Sequence, residues 1–504
     1  MKYENPIIPG FYPDPSICRV GNDFYLATSS FEYFPGVPLF HSKNLVNWEQ
    51  IGHCLTRKSQ LDLTDAGISG GIYAPTLRYH NGQFYMITTN ISNGGCFYVR
   101  AEDPAGEWSG PIWLNHFGID PDLFWDEDGS VYFSCAGGPE GITQAKLNIE
   151  NGEYLTKPAQ TWKGRGYKCP EAPHLYKIDG YYYLMIAEGG TEYGHCVSIA
   201  RSSGPMGPWE SCPSNPILTH RSRELPIQAA GHADIIQDQF GSWWMVCLGI
   251  RPQGYHPFHV LGRETFLAPV KWENGWPEIG RGGWIEMETD IPSKLPEITE
   301  RHYSTRDDFD GEKLPFRWNF LGNPVKNSYR LNPEDSRLEL SCHNSNLNTM
   351  KDLSWLGRRQ RHFNFRVSAK LKFNPAEEHE EAGIAVFQNI HHHYEVALTI
   401  RNGSPTLITR RTIGSLSKEE AAVPFSGDRL VLIIEGDEEE YRLGFLDDDS
   451  NPAILAKGEA RYLSTEAGGR FTGVYLAMYA ASWDHSGNNI AHFDWFSYEP
   501  ADKS

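Results

Sequence analysis

The chain of 504 residues is too long for one ordinary hydrophobic core, so two or three domains are expected. Hydrophobic residues make up 40% of the sequence and charged residues 22%, a balance typical of a soluble globular protein. The formal net charge of −19 comes without a basic cluster, which argues against nucleic acid or an anionic membrane surface as a partner.

The N-terminal sequence MKYENPIIPGFYPD lacks the apolar stretch of a signal peptide, and no run of 18 apolar residues occurs in the chain. The 9 cysteines are scattered and include no C-x-x-C pair, so neither a disulfide framework nor a zinc knuckle is predicted. These features favour a cytoplasmic protein. The heavy load of aromatic residues, with 49 Gly and 33 Pro, indicates a turn-rich all-β fold.

A short pattern occurs five times in the first 300 residues: a turn, then β-forming residues that end on an apolar one. The copies are VGNDFYL (20–26), HNGQFYM (80–86), EDGSVYF (127–133), IDGYYYL (178–184) and QFGSWWM (239–245). Such a sequence is a strong hairpin signal. The spacing of roughly 47 to 61 residues is long enough for four antiparallel strands, so the repeat favours a five-bladed β-propeller over a long β-sandwich.

The segment FYPDPSI (11–17) holds Asp14 between two prolines, which fix the backbone and remove amide donors. A Pro-Asp turn would explain this residue alone. The same position recurs, however, seven to nine residues before the glycine of every turn, where it is occupied by Asp14, Ala74, Asp120, Glu171 and His232. Equivalent positions of propeller blades surround the central axis at a similar height. The repeat therefore predicts three carboxylates and a histidine at one mouth of the channel.

Such a group of carboxylates is costly in a purely structural protein, because like charges in a cleft repel one another and lose hydration. Two carboxyl groups that flank a bond, one protonated and one ionised, perform glycoside hydrolysis, and a third carboxylate raises the pKa of the acid. The alternative is a hard-cation site. Three acids and a histidine make a poor calcium cage, since Ca²⁺ takes six to eight oxygen ligands. The pattern therefore favours a hydrolase over a metal site.

The composition changes at IPSKLPEITERHYSTR (291–306), a Pro- and charge-rich passage that predicts a linker. The expected boundaries are a propeller over 1–295, a linker over 296–305 and a second domain over 306–504. In the second domain, FRVSAKLKF, AGIAVFQNI, YEVALTI, RLVLIIEG and GVYLAMYA alternate with polar turns and predict a β-sandwich. The triple His391-His392-His393 lacks a spacing that would face one metal and predicts an exposed strand edge.

Five blocks of the sequence, in order and at suitable spacing, resemble glycoside hydrolase family 43 and, within it, the two-domain β-xylosidases and α-L-arabinofuranosidases. The blocks are NPIIPGFYPDPS, GIDPDLFWDEDG, PEAPHLYKIDGYYYL, EGGTEYGH and LGRETF. The resemblance covers essentially the whole chain. It implies a five-bladed β-propeller followed by a jelly-roll, concanavalin-like β-sandwich, and single-displacement hydrolysis with inversion at the anomeric carbon.

The resemblance also implies the roles of the three carboxyl groups. Asp14 would be the general base that activates water, and Glu171 would be the general acid that protonates the leaving oxygen. Asp120 would orient Glu171 and raise its pKa. Inversion would place the carboxyl groups of Asp14 and Glu171 about 6.5–9.5 Å apart, which leaves room for the water.

Seven further residues are implied to bind substrate. Arg263 would hydrogen-bond the sugar of the first subsite, and His232 would lie beneath the site beside a water or a calcium ion. Phe471 of the second domain would close the pocket, which restricts the enzyme to chain ends. The other members are Phe31, Tyr73, Ala74 and Thr191. Tyr73-Ala74-Pro75 replaces the Trp-Ala-Pro of similar β-xylosidases, which leaves the choice of pentose open.

These observations predict an exo-acting, inverting glycosidase that releases terminal D-xylose from β-1,4-xylo-oligosaccharides. An α-L-arabinofuranosidase, or an enzyme with both activities, is the nearest alternative. A retaining fructosidase would need an Asn-Asp-Pro-Asn-type block, which YPDPS is not. A non-catalytic sugar-binding propeller is disfavoured, because it has no use for an acid in three separate blades.

No cofactor is required for this chemistry, although calcium is allowed near His232 or as a structural ion. Asp308 in RDDFDG and Asp494 in HFDWFSYE could share such an ion, or could be solvated turn carboxylates. The expected partners are short xylo- and arabinoxylo-oligosaccharides, with no nucleic acid and no membrane. A homo-oligomer is compatible with the sequence, and no residue requires it.

Overall fold

The computed structural model describes residues 1–116, 118–297, 305–427, 429–483 and 489–501, and divides into two compact units. The first unit contains Met1–Ala66, Gly70–Arg251 and Arg263–Arg301; the second contains Gly67–Ser69, Pro252–Gly262 and His302–Ser504. Of the predicted linker over 296–305, residues 298–304 lie outside the described residues. No helix among the described residues is long and apolar enough to cross a membrane.

The described part of the first unit holds five antiparallel sheets, each built from consecutive strands. Sheet 1 contains Ser16–Val20, Asp23–Ala27, Gly36–Ser42 and Glu49–Leu55, and sheet 2 contains Thr76–His80, Gln83–Asn90, Gly95–Ala101 and Ile112–Trp113. Sheet 3 contains Ile119–Trp125, Val131–Ala136, Ile142–Leu147 and Ala159–Trp162. Sheet 4 contains Glu171–Ile178, Tyr181–Glu188, Cys196–Ser202, Glu210–Ser211 and Leu218–Thr219. Sheet 5 contains Gln228–Gln237, Trp243–Ile250, Glu264–Glu273 and Trp276–Ile279.

All five predicted turns close a hairpin between the first two strands of a sheet. In sheets 2 and 4 the turn residues Asn81-Gly82 and Asp179-Gly180 have φ values between 46° and 83°. A type I′ turn requires positive φ at both central residues, and Asn-Gly and Asp-Gly supply it at little cost. The turn sequence therefore fixes the register of these hairpins, in which His80 pairs with Gln83 and Ile178 with Tyr181.

Apolar side chains join each sheet of the first unit to the next. Sheets 1 and 2 meet at Tyr25 and Phe84, sheets 2 and 3 at Tyr98 and Leu123, and sheets 3 and 4 at Ile142 and Leu184. Sheet 5 packs against sheet 4 through Met245 and Ile199, and against sheet 1 through Trp244 and Phe24. The series of contacts thus returns to sheet 1.

Short elements complete the first unit. Lys2–Glu4 pairs with Glu288–Asp290, which ties the beginning of this unit to its last described strand. Tyr33–Phe34 is a two-residue strand, and Gly138–Glu140 forms one turn of 3₁₀-helix.

The described part of the second unit is built from two antiparallel sheets, as the alternating pattern predicts. The larger sheet contains Arg306–Asp307, Tyr329–Asn332, Arg337–Ser341, Phe365–Lys372, Leu430–Gly436, Glu440–Leu446, Pro452–Glu459 and Ile490–Pro500. The other contains Ser354–Arg359, Glu380–Asn389, His392–Arg401, Ser404–Ile413, Leu416–Pro424 and Tyr475–Ser482. Phe320–Leu321, the 3₁₀-helix Ala460–Leu463 and the helical turn Thr465–Gly468 are short additions.

The predicted exposed edge at the triple histidine is wrong. His391 is exposed in a turn, but His392 and His393 are buried at the start of His392–Arg401. This strand pairs with Glu380–Asn389 on one side and with Ser404–Ile413 on the other, so it lies inside its sheet. The ring nitrogens Nδ1 of both buried histidines lie near backbone carbonyls, those of Tyr462 and Asn389.

One ion cluster is buried within the second unit. Arg410 lies 2.8 Å from Glu381 and 2.5 Å from Glu395, and both carboxylates are fully buried. Tyr479 also donates to Glu381. Burial raises the pKa of Glu395 to about 8, with Arg410 opposing the rise and Glu381 adding to it. One arginine thus pairs with two buried carboxyl groups. Because its single charge does not offset the burial of both, Glu395 keeps its proton at neutral pH.

This cluster predicts a pH-dependent stability. The unfolded chain releases the proton of Glu395 near pH 4.5, whereas the folded protein keeps it to about pH 8. The stability contributed by the protonated group is therefore complete below pH 4.5 and is lost as the pH rises to about 8. We expect Glu395→Gln to gain thermal stability relative to the wild type over this interval, as measured by the melting temperature at pH 5 and at pH 8.5.

The control is Glu419→Gln, which removes a partly exposed carboxylate paired with Arg401. The difference in melting temperature between Glu419→Gln and the wild type should be the same at pH 5 and at pH 8.5. A melting-temperature difference between Glu395→Gln and the wild type that stays constant from pH 5 to 8.5 would contradict the assignment.

Candidate active site

The residues that the repeat aligns lie at the beginnings of the first strands of the five sheets. Asp14 precedes Ser16–Val20 by two residues, Ala74 likewise precedes Thr76–His80, and Asp120 is the second residue of Ile119–Trp125. Glu171 opens its strand, and His232 lies in the first half of Gln228–Gln237. The repeat in the sequence therefore corresponds to a repeat in the strands.

The backbone leaves the regular strand conformation at these positions. Asp14, Asp120 and His232 have φ values of 57°, 54° and 48°, and Ala172, which follows Glu171, has 52°. The strand register also shifts at these places in sheets 3, 4 and 5. A β-bulge redirects side chains, and such conformations in residues other than glycine are typical of functional sites. The irregular backbone thus turns these side chains out of the normal alternation.

The structure brings the four polar members of the set together. Ligand atoms of Asp120, Glu171 and His232 lie within 4.8 Å of one another. Nδ1 of His232 lies 3.7 Å from Oδ1 of Asp14. All four side chains are largely buried, and Glu171 is the most accessible, at 17%. Three carboxyl groups therefore share one small, poorly hydrated volume.

Asp14 is surrounded by groups that stabilise its ionised form. Arg263 lies 2.7 Å from its Oδ1, and the Ser29 hydroxyl donates to its Oδ2. Burial alone would raise the pKa of Asp14, but the positive charge of Arg263, together with the hydrogen bond from Ser29, outweighs burial and holds the pKa below its usual range. Asp14 is therefore ionised at neutral pH, as a general base must be.

The pKa values of Glu171 and Asp120 are raised, whereas that of Asp14 is lowered. Burial, followed by the charge of Asp14, raises the pKa of Glu171 to about 7. Burial and the charge of Glu171 raise the pKa of Asp120 well above its usual range, although the Ala172 N–H donates to its carboxylate. Two carboxyl groups this close titrate as a pair and retain a proton at neutral pH. The site therefore holds an ionised carboxylate opposite a protonated carboxyl group.

Arg263 connects Asp14 to the wall of the site. Its Nη1 also donates to Oγ1 of Thr191, at 3.2 Å, and its guanidinium group lies 5.6 Å from the ring centre of Phe31. The rings of Phe31 and Tyr73 are 5.3 Å apart. These side chains form one aromatic and basic wall beside the carboxylates. Ala74, with its small side chain, is buried next to Tyr73.

The remaining predicted site residues belong to the second unit. The Phe471 N–H donates to Oγ of Ser69, in the same unit. Asp308 pairs with Arg306, and Asp494 pairs with Lys370, each at 2.6 to 2.7 Å. The group of side chains able to hold a metal, among the residues described, is instead Asp120, Glu171 and His232.

Neither location fits calcium well. Carboxylates already paired with a cation, such as Asp308 and Asp494, are poor ligands for a second one. The set of Asp120, Glu171 and His232 offers one nitrogen and two carboxyl groups, whereas Ca²⁺ takes six to eight oxygen ligands.

The sequence did not predict a second buried polar layer, which lies next to the layer of Asp14, Asp120, Glu171 and His232. Arg78 of sheet 2 lies 2.8 Å from Asp122 of sheet 3 and 2.8 Å from Asp234 of sheet 5. Ser16 of sheet 1 and Tyr176 of sheet 4 both donate to Asp234, at 2.8 and 2.6 Å. All five sheets therefore contribute to one hydrogen-bonded network, which we call the Arg78 network.

A signal for this layer is present in the sequence. Ser16, Asp122 and Asp234 each follow an aligned residue by two positions, so they lie on the same face of their strands. In sheet 4 the residue with positive φ is Ala172, one position after Glu171, and the corresponding residue is His174, two positions after Ala172. Nη2 of Arg78 donates to Nδ1 of His174 at 2.9 Å.

Comparison with known proteins agrees with a glycosidase site. The model of glycosyl hydrolases family 43 matches residues 3–277, and that of the β-xylosidase C-terminal concanavalin A-like domain matches residues 306–499. A non-reducing end α-L-arabinofuranosidase of Bacteroides ovatus is 42% identical over 508 residues, which cover 99% of this chain and 95% of that protein. A xylosidase/arabinosidase of Butyrivibrio fibrisolvens is 39% identical over 517 residues, which cover 98% and 99%.

The fold of this chain also matches that of a solved glycosidase structure. The xylan β-1,4-xylosidase of Bacillus halodurans matches with a TM-score of 0.94 at 34% identity, over 98% of this chain and 99% of that chain. An all-β chain with this site and these matches is a glycosidase. It belongs to glycosyl hydrolases family 43, which confirms the resemblance seen in the sequence.

The Arg78 network predicts a large loss of stability when its cation is removed. Arg78→Met would leave Asp122 and Asp234 as buried carboxylates without their cation, and breaking a buried ion pair costs about 3–5 kcal/mol. We expect a loss of this size in the unfolding free energy, measured by urea unfolding followed by tryptophan fluorescence. Arg100→Met, in the same sheet, removes an exposed pair with Glu150 and should cost less than about 1 kcal/mol. Equal losses in the two variants would contradict this role.

Proposed function

We propose that the protein is an exo-acting, inverting glycosidase that releases terminal D-xylose from short β-1,4-xylo-oligosaccharides. The observation that carries the proposal is the buried group of carboxyl side chains in which Arg263 lies 2.7 Å from Asp14, while Asp120 and Glu171 lie together beside His232. This arrangement favours an ionised Asp14 and a protonated Glu171. Hydrolysis with inversion needs such a pair, one group for each proton transfer.

We further propose that the five sheets of the first unit are the blades of a five-bladed propeller. The packing of each sheet against the next, and of sheet 5 against sheet 1, supports this arrangement. The second unit, with its two antiparallel sheets, corresponds to a jelly-roll sandwich, in agreement with the concanavalin A-like model that it matches. In a propeller the beginnings of the first strands surround the axis, where the carboxyl groups meet.

The proposed reaction is a single displacement. Asp14 takes a proton from a water molecule, whose oxygen attacks the anomeric carbon from the face opposite the leaving group. The bond from this carbon to the glycosidic oxygen breaks, and Glu171 gives its proton to that oxygen. Burial and the charge of Asp14 keep Glu171 protonated between turnovers, and Asp120, whose own pKa is raised by burial and by Glu171, titrates together with it. The two carboxyl groups supply both proton transfers, so no cofactor is needed.

Arg263 has two functions in this scheme. It keeps Asp14 ionised, and with Thr191 and the ring of Phe31 it forms the wall against which the terminal sugar binds. His232, at 3.7 Å from Asp14, lies beneath the sugar. Burial lowers the pKa of His232 to about 4, so the imidazole adds no charge at neutral pH. The only full positive charge in this part of the scheme is therefore the one beside the base.

A second candidate is an α-L-arabinofuranosidase, or an enzyme with both activities. The relative that is 42% identical carries that name, and Tyr73, at the position that the family resemblance leaves open for the choice of pentose, stands in the aromatic wall beside Phe31. The two acids serve either pentose, because both reactions protonate a leaving oxygen and activate a water.

The substrate assignment predicts a preference for nitrophenyl β-D-xylopyranoside over nitrophenyl α-L-arabinofuranoside. We expect at least about a tenfold difference in kcat/KM, which corresponds to roughly 1.4 kcal/mol of differential transition-state binding. Chelation with EDTA should leave the rates unchanged, because the donor sets fit calcium poorly. A preference for the arabinofuranoside selects the second candidate. Failure to hydrolyse either glycoside contradicts the proposal.

The mechanism predicts the effect of removing the base and the shape of the pH profile. Asp14→Ala should lower kcat by about 10²–10⁴-fold with an unchanged circular dichroism spectrum. In the wild type, activity should fall as the pH rises through about 7, where Glu171 loses its proton, and should persist well into the acid range because Asp14 stays ionised.

The control is Asp128→Ala, which removes an exposed turn carboxylate and should keep the normal rate. Proton NMR of the first product should show the α-anomer of xylose released from a β-xyloside. Release of the β-anomer would contradict inversion, and a near-normal rate in Asp14→Ala would contradict the assignment of the base.

A further inference from the structure

His195 is a fully buried histidine whose ring is fixed from two sides. It ends the loop Gly189–Gly194, where its N–H donates to the carbonyl of Glu192 at 2.8 Å. Its Nδ1 lies 3.1 Å from the carbonyl oxygen of Ala229. A carbonyl oxygen only accepts hydrogen bonds, so Nδ1 carries the proton and Nε2 carries the lone pair. This assignment defines which nitrogen is available to a neighbour.

The other side of the ring packs against Gly231. A Cβ atom at this glycine would lie 2.5 Å from Nδ1 and from Cε1 of His195, closer than any real contact. The strand that carries His232 therefore approaches the imidazole at a distance that only glycine permits. The backbone of sheet 5 holds the ring in place both through this contact and through the carbonyl of Ala229.

The free lone pair of His195 faces the acid. Nε2 lies 3.9 Å from Oε1 of Glu171, and it has no hydrogen-bond partner among the described residues. A buried acceptor without a donor is unfavourable, and so is an ionised carboxylate facing a lone pair. Both penalties disappear when Glu171 carries a proton and the carboxyl group moves closer by about 1 Å, to hydrogen-bond distance.

The surroundings of His195 are rich in charged and titratable groups. The titratable and charged groups that face it, or that face Glu171, are Glu171, His232, Arg263, Asp14, Asp120 and Cys169. Burial, followed by His232, lowers the pKa of His195 to about 3, so the imidazole stays neutral at working pH. Among these groups, Glu171 lies 3.9 Å from Nε2, and in its protonated form it offers this nitrogen a donor.

We propose that His195 is a positioning residue for the general acid. Its Nε2 accepts a hydrogen bond from the protonated carboxyl group of Glu171 while the site is empty, and it disfavours the ionised carboxylate after each turnover. When substrate binds, rotation of the carboxyl group transfers this hydrogen bond to the leaving oxygen, and His195 itself gains no proton. This inference rests on the proposed role of Glu171.

The test separates this function from a purely structural one by its dependence on pH and on the leaving group. His195→Phe keeps a ring but removes the acceptor. If the pKa of Glu171 falls by about one unit, the protonated fraction at pH 8 falls about tenfold, whereas at pH 5 it changes little. We therefore expect a loss in kcat of about tenfold at pH 8 and less than about twofold at pH 5, with KM nearly unchanged.

The leaving group gives a second measurement. A dinitrophenyl glycoside needs little protonation of its leaving oxygen, whereas a disaccharide needs it fully. His195→Phe should therefore impair hydrolysis of the disaccharide several-fold more than hydrolysis of the dinitrophenyl glycoside, each made with the pentose that the enzyme prefers. His195→Gln, whose amide oxygen can replace Nε2 as an acceptor, should recover most of the activity at pH 8.

The matched control is His220, another fully buried histidine. Its Nδ1 lies 2.7 Å from the carbonyl of Ile227, and its Nε2 accepts from the Ile285 N–H at 2.9 Å, so both nitrogens have backbone partners. His220→Phe should lower the melting temperature without a defect that grows with pH. A loss in His195→Phe that is equal at pH 5 and pH 8 and for both leaving groups would overturn the proposal.

Failure of this inference can be distinguished from failure of the proposed function. If Glu171→Gln shows the same dependence on the leaving group as the wild type, Glu171 is not the acid and the proposed mechanism fails. If Glu171→Gln loses disaccharide hydrolysis selectively but His195→Phe shows only a pH-independent loss, the mechanism stands and the role of His195 is overturned.

Discussion

The ion pairs of Arg78 with Asp122 and Asp234 are the constraint on which the geometry of the first unit depends. A buried charge is tolerated only when it is paired and hydrogen-bonded. Here the cation comes from sheet 2 and its two partners from sheets 3 and 5, while Ser16 and Tyr176 add hydrogen bonds from sheets 1 and 4. No sheet can shift along its first strand without leaving one of these groups unpaired, so the five strands share a fixed register.

This register places the carboxyl groups, and the single cation Arg263 then separates their ionisation. The layer formed by Asp14, Asp120, Glu171 and His232 begins two or three residues before the Arg78 network, so the network fixes the height of these four side chains. All three carboxyl groups are subject to a burial penalty, but only Asp14 contacts a guanidinium group at 2.7 Å. Because Arg263 lies beside Asp14, Asp14 is ionised while Glu171 keeps its proton.

The parts of the structure that the sequence predicts are those set by local signals. Asn-Gly and Asp-Gly turns locate the hairpins, and the constant offset from these turns locates Asp14, Asp120, Glu171 and His232. The missed features depend on contacts between distant segments. Arg78 reads as an ordinary strand residue until sheets 3 and 5 are placed beside it, and His195 gains meaning only from its distance to Glu171. The error at His392 and His393 has the same origin, because periodicity shows a strand but does not show how many neighbours it has.

In the proposed function the choice of pentose depends on residues other than the acid and the base, because these two groups act on any sugar whose glycosidic bond lies between them. Of the five aligned positions, Ala74 is the one without a polar side chain, so sheet 2 supplies no polar group where the other four sheets each supply one. Tyr73 precedes it and packs 5.3 Å from Phe31, which is itself in contact with Arg263. In the proposed function the terminal ring occupies the space at Ala74 against this aromatic wall. The identity of residue 73 then selects between a six-membered and a five-membered sugar, while the charges that break the bond stay the same.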